Sequence, residues 1–143
     1  MENELRVRPF EESDRMDAVS LWEACGLTRP WNNPDKDISR KLAVQPELFF
    51  IGELGGKLIA TAMAGYDGHR GSVFYLAVSP AYQRCGFGKL MMKHIEDELE
   101  SVGCPKLSII VRSSNEKVLS FYRALGYTTD DVISTGKRLI PDD

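Results

Sequence analysis

Two spacings of apolar residues alternate along the chain, one of about two residues and one of three to four, and they divide it into elements. Residues 5–9, Leu-Arg-Val-Arg-Pro, alternate apolar and polar and predict a first strand that the proline ends. From Ser13 or Asp14, either of them an acceptable cap, a helical pattern runs through Met16, Val19 and Ala24, with Leu21 and Trp22, and stops at Gly26. It predicts an amphipathic cover for a sheet. Residues 27–34 are rich in turn formers, and Asn33 before Pro34 predicts a cap, with proline in the first helical position, for a short helix through Ile38 and Leu42. Strand-like runs at 48–54 and 57–66 flank Gly55-Gly56 and predict a hairpin. A second turn at 67–71 returns the chain as a third antiparallel strand over 72–78, which makes a meander.

Beyond Gly86 and Gly88, the residues Leu90, Met91, Ile95, Leu99 and Val102 mark the buried face of a helix that stops at Gly103 and Pro105. Residues 107–111 are a near-continuous apolar run, expected of a strand buried on both faces and parallel to its neighbour. Asn115 caps a further helix over 116–125, with Val118, Leu119, Tyr122 and Leu125 at helical spacing and Gly126 as its stop. Extended structure resumes at Tyr127, with one or two closing strands within 132–140. The expected fold class is α/β, a single domain over residues 1–143 with a mixed sheet.

Composition narrows the possibilities. A hydrophobic fraction of 43% with 27% charged residues is ordinary for a soluble globular protein. The longest apolar run, around residues 58–64, is too short to span a bilayer, and the N-terminal residues lack the pattern of a signal peptide, so no membrane partner and a cytoplasmic location are expected. Cys25, Cys85 and Cys104 cannot all pair within one chain and read as free thiols, while His69 and His94 lie too far apart to suggest a metal site.

The net charge is −3, yet no carboxylate occurs between Asp67 and Glu96, and Arg70, Arg84, Lys89 and Lys93 fall inside that gap. A local basic field in an acidic chain suits an anionic ligand rather than nucleic acid, which needs a broad basic face. Gly86 and Gly88 open a helix inside the same gap, so backbone N–H groups there are approachable by a phosphate and the helix dipole adds to the charge. The alternative is a strand-to-helix turn whose glycines serve packing alone. A dinucleotide-binding unit is excluded by the preceding meander, the missing third glycine and Arg112 near the place of an acidic ribose-binding residue. Gly-Phe-Gly-Lys-Leu lacks the P-loop hydroxyl.

Val78-Ser-Pro-Ala-Tyr-Gln83-Arg-Cys-Gly86-Phe-Gly88 resembles the Gln/Arg-x-x-Gly-x-Gly/Ala signature of the GNAT superfamily of N-acetyltransferases, and Asn115-Glu-Lys-Val-Leu-Ser-Phe-Tyr122-Arg-Ala-Leu-Gly126-Tyr127 resembles that family's second motif. The resemblance covers the whole chain. It implies a mostly antiparallel sheet of six to seven strands with a central, splayed parallel pair and four flanking helices. It also implies acetyl-coenzyme A as cosubstrate, with no metal, and direct transfer of the acetyl group to a primary amine, on a small molecule or on a protein or peptide. Gln83, Arg84, Cys85, Gly86, Phe87, Gly88 and Lys89 would wrap the pyrophosphate. Leu76, Ala77 and Val78 would present a strand edge to the pantetheine arm, and a backbone N–H at Leu76 would steady the oxyanion.

Several assignments within that reading stay two-sided. Tyr122 stands where the family's general acid stands, and its helical spacing also suits a core residue. Asn115 suits both a cofactor contact and a helix cap. The central strand lacks the glutamate that serves many members as base, which leaves His69, Asp67 and, through water, Tyr75. His69 also reads as a solvated turn residue and Asp67 as a turn former. Trp31 is a lid over substrate or a plug in the core; with Asn32, Tyr66 and Asp67 it marks the expected acceptor side. The missing strand carboxylate motivates a second hypothesis, a non-catalytic acyl-coenzyme A-binding module. Val132 and Ile133 offer an edge to a second copy, so a homodimer is a further expectation.

Overall fold

Two glycines with positive φ, Gly55 at 57° and Gly56 at 79°, make the tight turn on which the sheet is built. Paired positive φ matches the right-handed twist of the strands it joins, and glycine adopts it without a Cβ penalty. The computed structural model describes residues 4–142. The turn joins β2 (Phe49–Leu54) to β3 (Lys57–Tyr66). With β1 (Arg6–Pro9), β4 (Gly71–Val78) and β5 (Leu107–Ser108) they form one sheet in the order β1-β2-β3-β4-β5. All pairs are antiparallel except β4 and β5, which run parallel.

Side chains alternate across β2 and β3, so each face of the sheet takes its own helices. On one face α1 (Arg15–Ala24) and α2 (Pro34–Leu42) bury Ala18, Leu21, Trp22 and Ile38 against Phe49, Ile51, Met63 and Ala77. Phe10 stacks on Phe49 at 4.3 Å. On the other, α3 (Phe87–Ser101) lays Met91, Met92, Ile95 and Leu99 over the sheet. The strands meet it with small residues: a Cβ at Gly52 would stand 3.0 Å from Met91 Sδ.

The helix ends follow the expected chemistry. The Asn33 side chain accepts from the Lys36 N–H at 3.2 Å, with Pro34 in the first turn, and Asn115 likewise accepts from the Val118 N–H at 3.3 Å at the start of α4 (Glu116–Ala124). The described residues divide into two compact units, one running through Ser108 and including Asp142, the other Ile109–Pro141. The second holds α4, in which Tyr122 is buried and its ring meets Phe121 and Tyr127 edge-on at 5.0 and 5.5 Å.

Three expectations are corrected. The strand expected over 107–111 ends at Ser108, and no strand forms over 128–141, so among the described residues the sheet has five strands rather than six or seven. Hydropathy favours an extended chain, whereas a strand also needs a partner ladder, and Ile110 is 69% exposed. The buried stripe of α3 is rotated from the expected one, leaving Leu90 and Val102 exposed and enclosing Met92; Met16 of α1 also faces solvent. Trp31 does not plug the core, since it is 53% exposed, and Trp22 is the fully buried tryptophan.

One ion pair ties the first strand to the chain that follows it. Arg8 donates to both oxygens of Asp14 at 2.8 and 2.9 Å, the Glu11 N–H adds a third bond, and Arg8 Nε lies 3.3 Å from Glu53. Burial alone would raise the Asp14 carboxyl, but the Arg8 and Glu11 bonds outweigh it and hold it below its ordinary range. A depressed carboxyl stabilises the fold above its unfolded pKa, and that contribution is lost as pH falls through the folded value. Asp14→Asn should therefore lower stability by about 1–3 kcal/mol at pH 7. The gap to the parent should narrow once the pH drops below about 4, measured as urea midpoints across pH.

Candidate active site

At the end of β4 the chain must turn back over the sheet into α3, and it does so through backbone geometry that few side chains tolerate. Pro80–Tyr82 form a single 3-10 turn, Arg84 has φ 63°, and Gly86 has φ 83° as the residue that caps α3. Successive kinks of this kind let main-chain N–H groups line a concavity. The amides of Gln83, Arg84, Cys85, Gly86, Phe87, Gly88 and Lys89 have no protein acceptor among the described residues. The first intrahelical bond across the turn runs from the Leu90 N–H to the Gly86 carbonyl at 3.1 Å.

Each side chain of the turn has a distinct part. Gln83 donates from Nε2 to the Val78 carbonyl at 2.9 Å and so holds the turn against the end of β4. Cys85 is exposed, with its thiol 3.6 Å from the Gln83 carbonyl. A Cβ at Gly86 would meet nothing within 4 Å, so the space above that residue is open. Lys93 is paired with Asp97 at 2.8 Å, whereas Arg84 and Lys89 have no carboxylate partner among the described residues. Seven vacant amides, two unpaired cations and the positive end of a fifteen-residue helix together suit a multiply charged anion.

The strand leading into this turn is irregular at one place. Thr61 pairs with Ala77 and Met63 with Phe74, so β4 carries one more residue than β3 across that interval, and the ladder pairs neither Tyr75 nor Leu76. Tyr75 adopts φ 54°, unusual for any residue but glycine. On its outer side β4 pairs with β5 only at Gly71 and Ser72, so from Val73 to Val78 that edge has no strand partner among the described residues.

Of the candidate bases, Asp67 and His69 lie in the turn before β4. Leu76 is seven residues beyond His69, about 20 Å along an extended strand. The strand thus carries both away from Leu76, and Tyr66 with them. Asp67 Oδ1 accepts the N–H groups of His69 and Arg70, both at 2.8 Å, and these bonds lower its pKa. Asp67 is a turn former here. Tyr75 stays beside Leu76, but its hydroxyl donates to Asp37 Oδ2 at 2.6 Å, and burial together with that carboxylate pushes its pKa up. It holds its proton and is not a free base. Trp31 and Asn32 immediately precede α2, the helix that carries Asp37. Asp37 and Thr61 had no motif to mark them; only the irregularity of β4 draws attention to both.

In the second unit Asn115 caps α4, and Tyr122 sits on the helix with its phenol pushed up to about 12 by burial. Its hydroxyl has no protein partner among the described residues, so at neutral pH it is a protonated donor with its hydrogen unspent. Among the described residues no group of three or more histidines, cysteines or acids could hold a metal ion, and no helix is long and apolar enough to cross a membrane.

The family model described as "Acetyltransferase (GNAT) family" matches residues 9–127, across both units. The chain is 46% identical over 138 residues to an acetyltransferase of Yersinia enterocolitica, covering 96% of this chain and 98% of that one. Among solved structures, the ribosomal-protein-S18-alanine N-acetyltransferase of Escherichia coli is similar with a TM-score of 0.72 at 27% identity, covering 86% of this chain and 77% of that one. AAC(6')-Iy, solved with the bisubstrate analog CoA-S-monomethyl-acetylneamine, superposes with a TM-score of 0.78 over 95% of this chain and 99% of that one; at 18% identity this speaks to the fold alone. The chain belongs to the GNAT family of acetyltransferases, and it is an acyltransferase enzyme.

Proposed function

We propose that this enzyme transfers the acetyl group of acetyl-coenzyme A directly to a primary amine, both substrates being bound at once, within a single GNAT domain made of the two units. The observation that carries the reading is the run of vacant amides from Gln83 to Lys89 beside unpaired Arg84 and Lys89, which suits the cofactor's pyrophosphate. Residues Leu76, Ala77 and Val78 offer the pantetheine arm backbone groups on an unpaired strand edge, a form of strand addition.

The chemistry needs little beyond position, because a thioester is already reactive. A neutral amine attacks the thioester carbonyl, the Leu76 N–H stabilises the oxyanion, and the carbon–sulfur bond breaks to release thiolate. The thiolate takes a proton from Tyr122, whose raised pKa keeps that proton available. The amine's surplus proton leaves to water, since the Tyr75 phenol keeps its hydrogen on Asp37. Asn115 contributes to the cofactor site as well as capping its helix. The acceptor side is read at Trp31 and Asn32, and peptide N-terminal amines join small cationic amines as the first acceptors to try. The protein is read as cytoplasmic, with an optional homodimer through Val132 and Ile133, both exposed.

Titration calorimetry should detect acetyl-coenzyme A, and thiol release with an amine panel should reveal the acceptor; no heat of binding would defeat the reading. Gly86→Asp should weaken acetyl-coenzyme A by about 100-fold or more, since it adds a Cβ at positive φ and a negative charge against the pyrophosphate. Unchanged affinity would reject the pyrophosphate seat. Tyr122→Phe should lower kcat by about 100-fold while leaving acetyl-coenzyme A affinity within about twofold. Full activity in that variant would remove Tyr122 from the reaction.

A further inference from the structure

Tyr75 is the one strand residue of the described chain held at positive φ without being glycine. Such a conformation costs about 1–2 kcal/mol and persists only where neighbours over-determine it. Three elements do so here. From α1, the Trp22 ring stacks on the Tyr75 ring at 3.9 Å, with the planes 19° apart. From α2, Asp37 takes the phenol hydrogen. From β3, the Thr61 hydroxyl donates to the Tyr75 carbonyl at 2.8 Å and itself accepts from the Trp22 indole N–H at 2.8 Å. Trp22 and Thr61 are fully buried, so water cannot substitute for either bond.

The direction of these bonds matters more than their strength. The Tyr75 carbonyl and the Leu76 N–H belong to one peptide group, which is trans, and in a trans peptide the two point in opposite directions. Thr61 stands on β3 and draws the carbonyl towards that strand. The Leu76 N–H is therefore turned away from β3, to the side of β4 that has no strand partner at this point. A threonine hydroxyl suits the task because it donates to the carbonyl while its lone pair takes the indole hydrogen, which fixes its rotor.

We propose that Thr61, held by Trp22, is a positioning residue for acyl transfer: it aims the Leu76 N–H at the thioester oxygen by holding the other end of the same peptide. The proposal rests on the assignment of Leu76 as oxyanion donor made above. Thr61→Val keeps the volume but removes the hydroxyl, which frees that peptide to rotate and the residue to relax from its strained φ.

The test compares acetyl-coenzyme A with S-ethyl-coenzyme A, a thioether of similar size that lacks the carbonyl oxygen. In the parent enzyme acetyl-coenzyme A should bind more tightly than the thioether. In Thr61→Val that preference should shrink by about 2- to 10-fold with thioether affinity unchanged, and kcat should fall by about 10- to 100-fold with KM for acetyl-coenzyme A little altered. Thr61→Ser, which restores the hydroxyl, should recover both within about threefold. Trp22→Phe, which frees the hydroxyl rotor and serves if the valine variant does not fold, should shift both quantities the same way by a smaller factor. Parent-like preference and kcat in Thr61→Val or Trp22→Phe, or a serine variant as impaired as the valine one, would overturn the proposal. A parent that binds neither ligand would instead defeat the cofactor assignment itself.

Discussion

A planar peptide cannot offer its carbonyl and its amide to the same neighbour, and this constraint organises the centre of the molecule. Where β4 takes in an extra residue, one peptide leaves the ladder, and a buried hydroxyl on β3 captures its oxygen. The bond then has consequences in two directions. Inward, it ties the bulge to Trp22 and so to the main apolar cluster, in which Phe49, Ile38 and Leu21 are packed. Outward, it leaves an amide facing an unpaired strand edge, the arrangement on which the proposed oxyanion contact rests.

The second feature is the turn between Gln83 and Lys89, on which the proposed grip on the cofactor's charged end rests. No side chain of the turn needs to reach far, because the main chain between Gln83 and Lys89 is itself the donor array. Gln83 and the positive φ values of Arg84 and Gly86 keep the array from being consumed by the helix it precedes. Overall acidity and a local anion seat coexist because the negative charges are elsewhere: Lys93 alone among the basic residues of the turn and first helical turns is neutralised, by Asp97 one turn further on.

Much of this was legible in the sequence where a residue type has one dominant use. Gly55-Gly56 forced the hairpin, Asn33 with Pro34 and Asn115 marked helix starts, and the glycine turn drew attention to amides that have no protein acceptor among the described residues. Elements whose existence depends on a partner were not legible. Residues 107–111 and 132–140 carry the hydropathy of strands, but pairing is a property of two segments, and only Leu107 and Ser108 found a ladder. The bulge was also hidden, because a tyrosine at φ 54° follows from how α1, α2 and β3 close on it and not from its own preference. For the same reason neither Thr61, inside an apolar run, nor Asp37, on a short helix, carries a signal of its own in the sequence.

The alanines of β3 bear on how far the turn at Gln83–Lys89 stands from β4. Ala60, Ala62 and Ala64 are buried, and with Gly52 they let α3 settle its methionines close to the sheet. Since the turn from Gln83 to Lys89 leads into that helix, the thickness of a methyl group sets its height above the strand that bears Leu76. A larger residue on that face would lift the turn away from Leu76 and, on the proposed reading, shorten the reach left for a flexible tether of fixed length. On that reading the ruler for the cosubstrate is a layer of small side chains, none of which would ever touch it.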